Sequence, residues 1–172
     1  VPGSYNDLFT DHAFRTWDRG AWHAKRFDIP ESWRGKRVVL RFGSVNYRAD
    51  VYVNGHYLGA HESGYTPFEF ELGDALRFED TNTLCVRVEN QLSHETVPMG
   101  NLHNRAESGQ IAGQYPDTPF DFFPSAGIHR PVVLYSTNHQ GWLDSFWVDT
   151  AVSEKTATVH VKGVTGGEAV RK

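Results

Sequence analysis

The sequence predicts an all-β domain, and three observations carry that prediction. Short runs of strict two-residue alternation recur along most of the chain. Aromatic residues, which suit a pleated and half-buried surface, make up 13% of the 172 residues, and 16 Gly and 8 Pro punctuate the runs. No stretch sustains an apolar period of 3.6 residues, so helices are minor. Many short strands joined by Gly/Pro turns indicate a sandwich or a jelly roll.

Residues 21–29 read as a strand that Pro30 ends, and Glu31, Ser32 and Trp33 have room for one helical turn. In residues 36–42 Val38, Leu40 and Phe42 point one way, and Arg37, Val39 and Arg41 the other. Residues 47–53 alternate with Ala49, Val51 and Val53 on one face, and Asn54-Gly55 follows. Asn-Gly between alternating runs calls for a type I′ hairpin with an exposed tip, because both central residues need positive φ. After the turn at 64–67, Phe68, Phe70 and Leu72 face inward while Glu69 and Glu71 face water. Leu84, Val86 and Val88 mark an inward face in residues 83–90, with Cys85 opposite.

Periodicity is lost from Gln91 to about Phe120. A break of that length inside a compact domain is more often functional than neutral. Residues 131–137 return to a strand, and 138–141 form a candidate boundary. Two further alternating runs, 142–150 and 156–162, read as the first strands of a second β-sandwich, too few to bury a core of their own. The division is therefore 1–138 and 139–172. The chain opens abruptly on Val1-Pro2-Gly3-Ser4 and stops in a polar run, which reads as a piece of something longer. Its compartment stays open.

Charge and motifs narrow the function classes. With 17 basic and 21 acidic residues the net charge is −4, which argues against a nucleic-acid partner. No apolar run approaches the ~20 residues of a membrane helix, so no membrane partner is expected. The single Cys85 precludes an internal disulfide and a multi-cysteine zinc cluster. Nucleotide-binding glycine motifs and a nucleophile-elbow serine are absent, and no cofactor is expected. The nine His form no H-x-x-x-H or H-x-H pair, which leaves His94 and His103 of the long break as the remaining metal candidates, against a reading as ordinary surface histidines. Asp121 stands between Phe120 and Phe122-Phe123. A carboxylate among aromatics has to be hydrogen-bonded or ligand-facing. Aromatic faces and one acid suit a sugar, and a loop-anchoring Asp is the alternative.

Three segments carry a family resemblance. Val1-Pro2-Gly3-Ser4-Tyr5-Asn6-Asp7 resembles the V-P-x-S-[FY]-N-D segment of the β-glucuronidases of glycoside hydrolase family 2. Residues 51–72, VYVNGHYLGAHESGYTPFEFEL, are similar to that family's V-W-V-N-G…H-x-G-G-Y-x-P-F signature. Asp121-Phe122-Phe123, followed by Ala126-Gly127-Ile128-His129-Arg130-Pro131-Val132, resembles its D-F-F-x-x-A-G-I-H-R-P-V signature. Pro124-Ser125 replaces the family's Asn-Tyr, His23 its Tyr, and Ser63 one Gly.

The resemblance implies a sugar-binding jelly roll of the galactose-binding-domain type, then the start of an immunoglobulin-like sandwich. In the family a (β/α)₈ barrel follows and carries both catalytic glutamates. No catalytic residue is therefore expected in this chain, and it should be inactive alone. The implied role of Asp121, beside Phe122 and Phe123, is to complete the barrel's pocket and bond sugar hydroxyls. The parent would be a retaining hydrolase of β-glucuronides or β-galactosides, and a homo-oligomer. The family's opening strand would precede Val1, so an unpaired edge strand is expected. Two alternatives stand beside this reading: a self-sufficient carbohydrate-binding module, and a structural domain that buttresses an oligomer interface.

Overall fold

A computed structural model of the chain describes residues 2–15, 17, 20–91, 95–97 and 126–167. Nine strands dominate it: β1 (Ala21–Phe27), β2 (Arg37–Phe42), β3 (Arg48–Val53), β4 (His56–Glu62), β5 (Phe68–Glu71), β6 (Asn82–Glu89), β7 (Val132–Thr137), β8 (Trp142–Val152) and β9 (Ala157–Gly166). A four-stranded sheet has the order β1-β6-β3-β4, and a three-stranded sheet the order β5-β2-β7. The pairings within these sheets are antiparallel. The expected all-β sandwich is the observed architecture.

The alternation in the sequence explains the core. Ala49, Val51 and Val53 of β3 and Leu84, Val86 and Val88 of β6 meet Val38, Leu40 and Phe42 of β2 in one buried cluster, with Leu72, Ala75 and Ile128. Phe42 is fully buried and stacks on Phe68 at 4.8 Å. Removing this apolar surface from water is the main stabilising term, at roughly 25 cal/mol per Å². The opposite face of β2 departs from a simple inside–outside rule. Val39 lies there with Arg37 and Arg41, yet it is fully buried. In register it sits between Tyr135 and Glu71, while Arg41 bonds Glu69 at 2.5 Å and Tyr135 donates to Glu69 at 2.9 Å. The long polar side chains cover the valine with their stems.

The Asn54-Gly55 turn forms as expected, with φ of 51° and 82°. Its tip is less free than the sequence suggests. Gly55 and His56 are exposed, but the Asn54 side chain is tied down. Its Nδ2 donates to Ala75 O at 2.8 Å and to Asn82 Oδ1 at 2.7 Å, and its Oδ1 accepts from Thr83 N at 2.9 Å. Asn82 is fully buried, and its amide also bonds the backbone of Arg77 in both directions. A buried amide survives because its groups find partners. Two helices of one turn each, α1 (Tyr5–Leu8) and α2 (His12–Arg15), precede β1 and were not expected; four residues are too short to print a helical period. A cleft of about 480 Å³ opens between the sheets, lined by His23 and Phe27 of β1, Leu40, Ile128, and Val132 and Leu134 of β7 among others. β1 and β7 are edge strands of their sheets.

Strands β8 and β9 form a separate two-stranded ribbon, longer than the alternation alone indicated. Its pairs Phe146–Gly163, Val148–Val161, Thr150–Val159 and Val152–Ala157 share one face, so that face is almost wholly apolar. At the root of the ribbon the Arg37 guanidinium lies 4.5 Å from the Trp142 ring. Glu71 holds Arg37 through an Nε–Oε2 bond of 2.9 Å, and the Arg37 side chain is only 13% exposed. A partly desolvated cation over an indole contributes about 1 kcal/mol. Arg37→Ala should therefore loosen the ribbon without unfolding the sandwich. Limited proteolysis followed by mass spectrometry should show faster cleavage within 138–141, with the sandwich fragment intact.

Candidate functional site

The candidate site is built from the described residues that flank positions 98–125 in the sequence. The two flanks meet around one residue, Gly64. Gly64 N donates to Val97 O at 2.9 Å, and Gly64 O accepts from Ser44 Oγ at 2.6 Å. Ser44 Oγ lies in turn 2.9 Å from His129 Nε2. Since the serine hydroxyl gives its proton to Gly64 O, Nε2 is placed to donate to serine, while Nδ1 lies 3.4 Å from the Gly127 carbonyl. Val97 before the segment thus bonds Gly64 directly, and His129 after it reaches Gly64 through Ser44.

The returning strand is fixed further by its backbone. Asn46 and Gly127 exchange two hydrogen bonds, each 3.0 Å. On the other side Gly3 N donates to Ile128 O at 2.8 Å and Tyr5 N to Ala126 O at 3.1 Å. Residues 126–128 are therefore clamped between the N-terminal segment and the stretch before β3. Ser44, Asn46, Ala126 and Ile128 are all buried. Gly127 is required twice. Its φ is +115°, and a Cβ there would lie 3.0 Å from Gly3 O and 3.2 Å from Tyr5 Cδ1. Tyr65 closes the side of the cluster, its ring edge-on to His129 at 5.5 Å. Burial pushes the Tyr65 hydroxyl pKa up.

Burial also governs the titration of His129. Desolvation lowers its pKa below the ordinary 6.5, the Gly127 carbonyl opposes this, and Arg130 adds to it. His23 in the cleft and His61, stacked on Phe68 at 4.1 Å, are lowered for the same leading reason. Among the described residues no group of three or more His, Cys, Asp or Glu could hold a metal ion.

Asp121, Phe122 and Phe123 lie outside the described residues, as do His94, His103, Pro124 and Ser125. The described part of the third motif, Ala126 to Val132, is the clamped segment and the first residue of β7. Sequence reasoning did not single out Ser44, Asn46 or Gly64, because each acts through partners 20 to 85 positions away. The one local signal was the glycine within Ala-Gly-Ile-His.

The family model for "Glycosyl hydrolases family 2, sugar binding domain" matches residues 3–138. A β-glucuronidase of Canis lupus familiaris is 34% identical over 166 residues, 92% of this chain and 25% of that protein. One from Paenibacillus borealis is 36% identical over 139 residues, 80% of this chain and 23% of that protein. Among solved structures, an uncultured Clostridium sp. β-glucuronidase superposes with a TM-score of 0.84 at 36% identity, covering 97% of this chain and 27% of that one. The Ruminococcus gnavus β-glucuronidase in complex with D-glucuronic acid gives 0.84 at 30% identity, covering 98% and 28%. The chain spans about a quarter of the length of these relatives.

Two outcomes follow from the geometry. Gly127→Ala should destabilise the chain by about 2 kcal/mol or more, read from urea unfolding, through strain at positive φ and the clash with Gly3 and Tyr5. The three half-buried histidines have pKa values lowered by desolvation in the folded chain, so below about 6.5 the unfolded chain binds more protons. Stability should therefore fall as pH drops through 6.5 towards the depressed folded values. His129→Gln, which can donate but cannot titrate, should show a smaller decline in thermal midpoint over that range. Matched by that family model from Gly3 to Asn138, the chain belongs to glycoside hydrolase family 2, in its sugar binding domain.

Proposed function

We propose that the chain is the non-catalytic sugar-binding part of a retaining β-glycosidase that acts on β-glucuronides. The observation that carries this reading is that the relatives and the solved structures named above are β-glucuronidases, matched over nearly the whole of this chain. The catalytic carboxylates belong to a (β/α)₈ barrel elsewhere in the longer polypeptide. This chain alone does not hydrolyse glycosides.

Its contribution is Asp121. The residue stands five positions before Ala126 in the sequence, next to the segment that Asn46, Gly3 and Tyr5 hold. An ionised carboxylate accepts hydrogen bonds from adjacent sugar hydroxyls, and charge-assisted bonds of this kind are about twice as strong as neutral ones. Phe122 and Phe123 supply apolar surface beside it. Residues 1–138 form the sugar-binding jelly roll, and 139–172 begin an immunoglobulin-like sandwich. The one-sided apolar character of the β8–β9 ribbon supports that second assignment, since such a face requires a covering sheet. The longer polypeptide assembles as a homo-oligomer.

In the longer polypeptide, Asp121→Ala should lower kcat/KM for 4-nitrophenyl β-glucuronide by about 10- to 100-fold, the loss that fits a hydrogen bond to a charged group. Turnover equal to that of the parent would remove Asp121 from the pocket. Cleavage of the glucuronide by the 172-residue chain alone would overturn the non-catalytic reading.

A further inference from the structure

The outer face of the four-stranded sheet carries an assembled cluster that the core does not use. Register sets Trp22 beside Arg87, and Arg87 beside Asp50, which faces Ala60. The adjacent row runs Ala24, Cys85, Tyr52, Tyr57. Three rings cross these rows in contact. Trp22 and Tyr52 lie 5.8 Å apart, and Tyr52 and Tyr57 lie 5.0 Å apart. Trp22 is 63% exposed and Tyr57 55%. Large aromatics are seldom left this open in a sheet face without a use, and the small side chains of Ala24 and Ala60 keep the floor beside them low.

Under the rings is a carboxylate that is nearly withdrawn from water. Asp50 is 7% exposed. Its Oδ1 accepts from an Arg48 terminal nitrogen at 2.9 Å and from Tyr57 Oη at 3.4 Å, and its Oδ2 accepts from Arg87 at 3.4 Å. The hydrogen bond from Arg48 holds its pKa below the usual carboxylate value, and Arg87 adds to this. The two guanidiniums also engage Glu62 and Glu89. Five charged groups therefore close on one another. Within this cluster both guanidiniums are paired, and the acids outnumber the bases by one.

We propose that this face is a second carbohydrate site, distinct from the pocket assigned to Asp121, and that it takes a neutral oligosaccharide. The apolar C–H faces of neighbouring sugar residues lie on Trp22 and Tyr57, where the flat rings offer area at little entropic cost. Hydroxyl groups at the rim bond the edges of the Arg48 and Arg87 guanidiniums, which their carboxylates hold in place. The balance of charge disfavours a uronate and selects an uncharged glycan.

Affinity electrophoresis of the 172-residue chain tests this, in gels containing mixed-linkage β-glucan, galactomannan or polygalacturonate. Retardation by at least one of the neutral polymers and not by polygalacturonate is expected. Trp22→Ala and Tyr57→Ser should each weaken it by about tenfold, the scale of losing one well-placed aromatic contact. Tyr57→Ser keeps the test valid if Trp22→Ala fails to fold, because the Tyr57 ring lies off the core. Asp121→Ala should leave the retardation unchanged, which separates this site from the pocket. Equal mobility in every neutral gel would overturn the proposal, as would retardation by polygalacturonate alone. So would binding that survives both aromatic replacements, or a concentration-dependent dimer abolished by Trp22→Ala, which would give the face to a second copy of the chain.

Discussion

The backbone of Gly64 and the paired backbones of Asn46 and Gly127 are the constraint on which the candidate site depends. Gly64 N–H binds Val97 and its carbonyl is reached by His129 through Ser44, so the turn after β4 gathers chain from both sides of residues 98–125. Asn46 and Gly127 then set the direction in which the chain re-enters the sandwich. Ser44, Asn46, Gly64 and Gly127 are buried, and among such groups an unmade bond costs more than a made one gains. The sheets supply the stability, and this small polar knot fixes the two chain segments that flank residues 98–125.

Most of the fold was legible because the buried faces are written at period two. Val38, Leu40 and Phe42, then Ala49, Val51 and Val53, then Leu84, Val86 and Val88 could be read directly as inward rows, and all nine are in the core. Asn54-Gly55 located its hairpin because few other dipeptides take positive φ at both positions. What was hidden depended on distance. Nothing near Val39 says that long side chains from two neighbouring strands will cover it, and nothing near Asn54 names Asn82 as its partner. The clamp was hidden for the same reason. Ser44 and His129 are 85 residues apart, and only the closed sandwich makes them neighbours.

The two faces of the four-stranded sheet follow different physics. Inside, aliphatic side chains interlock, and each contact is small but there are many of them. Outside, Arg48, Asp50 and Arg87 form a ladder across β3 and β6 beneath a line of aromatic rings. Ion pairs at a surface contribute little to stability individually. Their effect here is to fix side-chain directions, which gives the outer face a defined shape rather than a fluctuating one. The three-stranded sheet does the same with Arg37–Glu71 and Arg41–Glu69, and its first pair also meets the β8–β9 ribbon through Trp142.

The hairpin tip has a chemical consequence for the lifetime of the protein. Asn-Gly is the dipeptide at which an asparagine amide is most readily lost, because the glycine nitrogen meets no side chain as it attacks the carbonyl carbon to close a succinimide ring. In this chain the Asn54 amide makes three hydrogen bonds, to Ala75, Asn82 and Thr83. It would have to break them to swing towards Gly55. The contacts that shape the bend thereby slow its ageing to aspartate and isoaspartate, and the most hydrolysis-prone pair in the sequence is held by the fold in its least reactive pose.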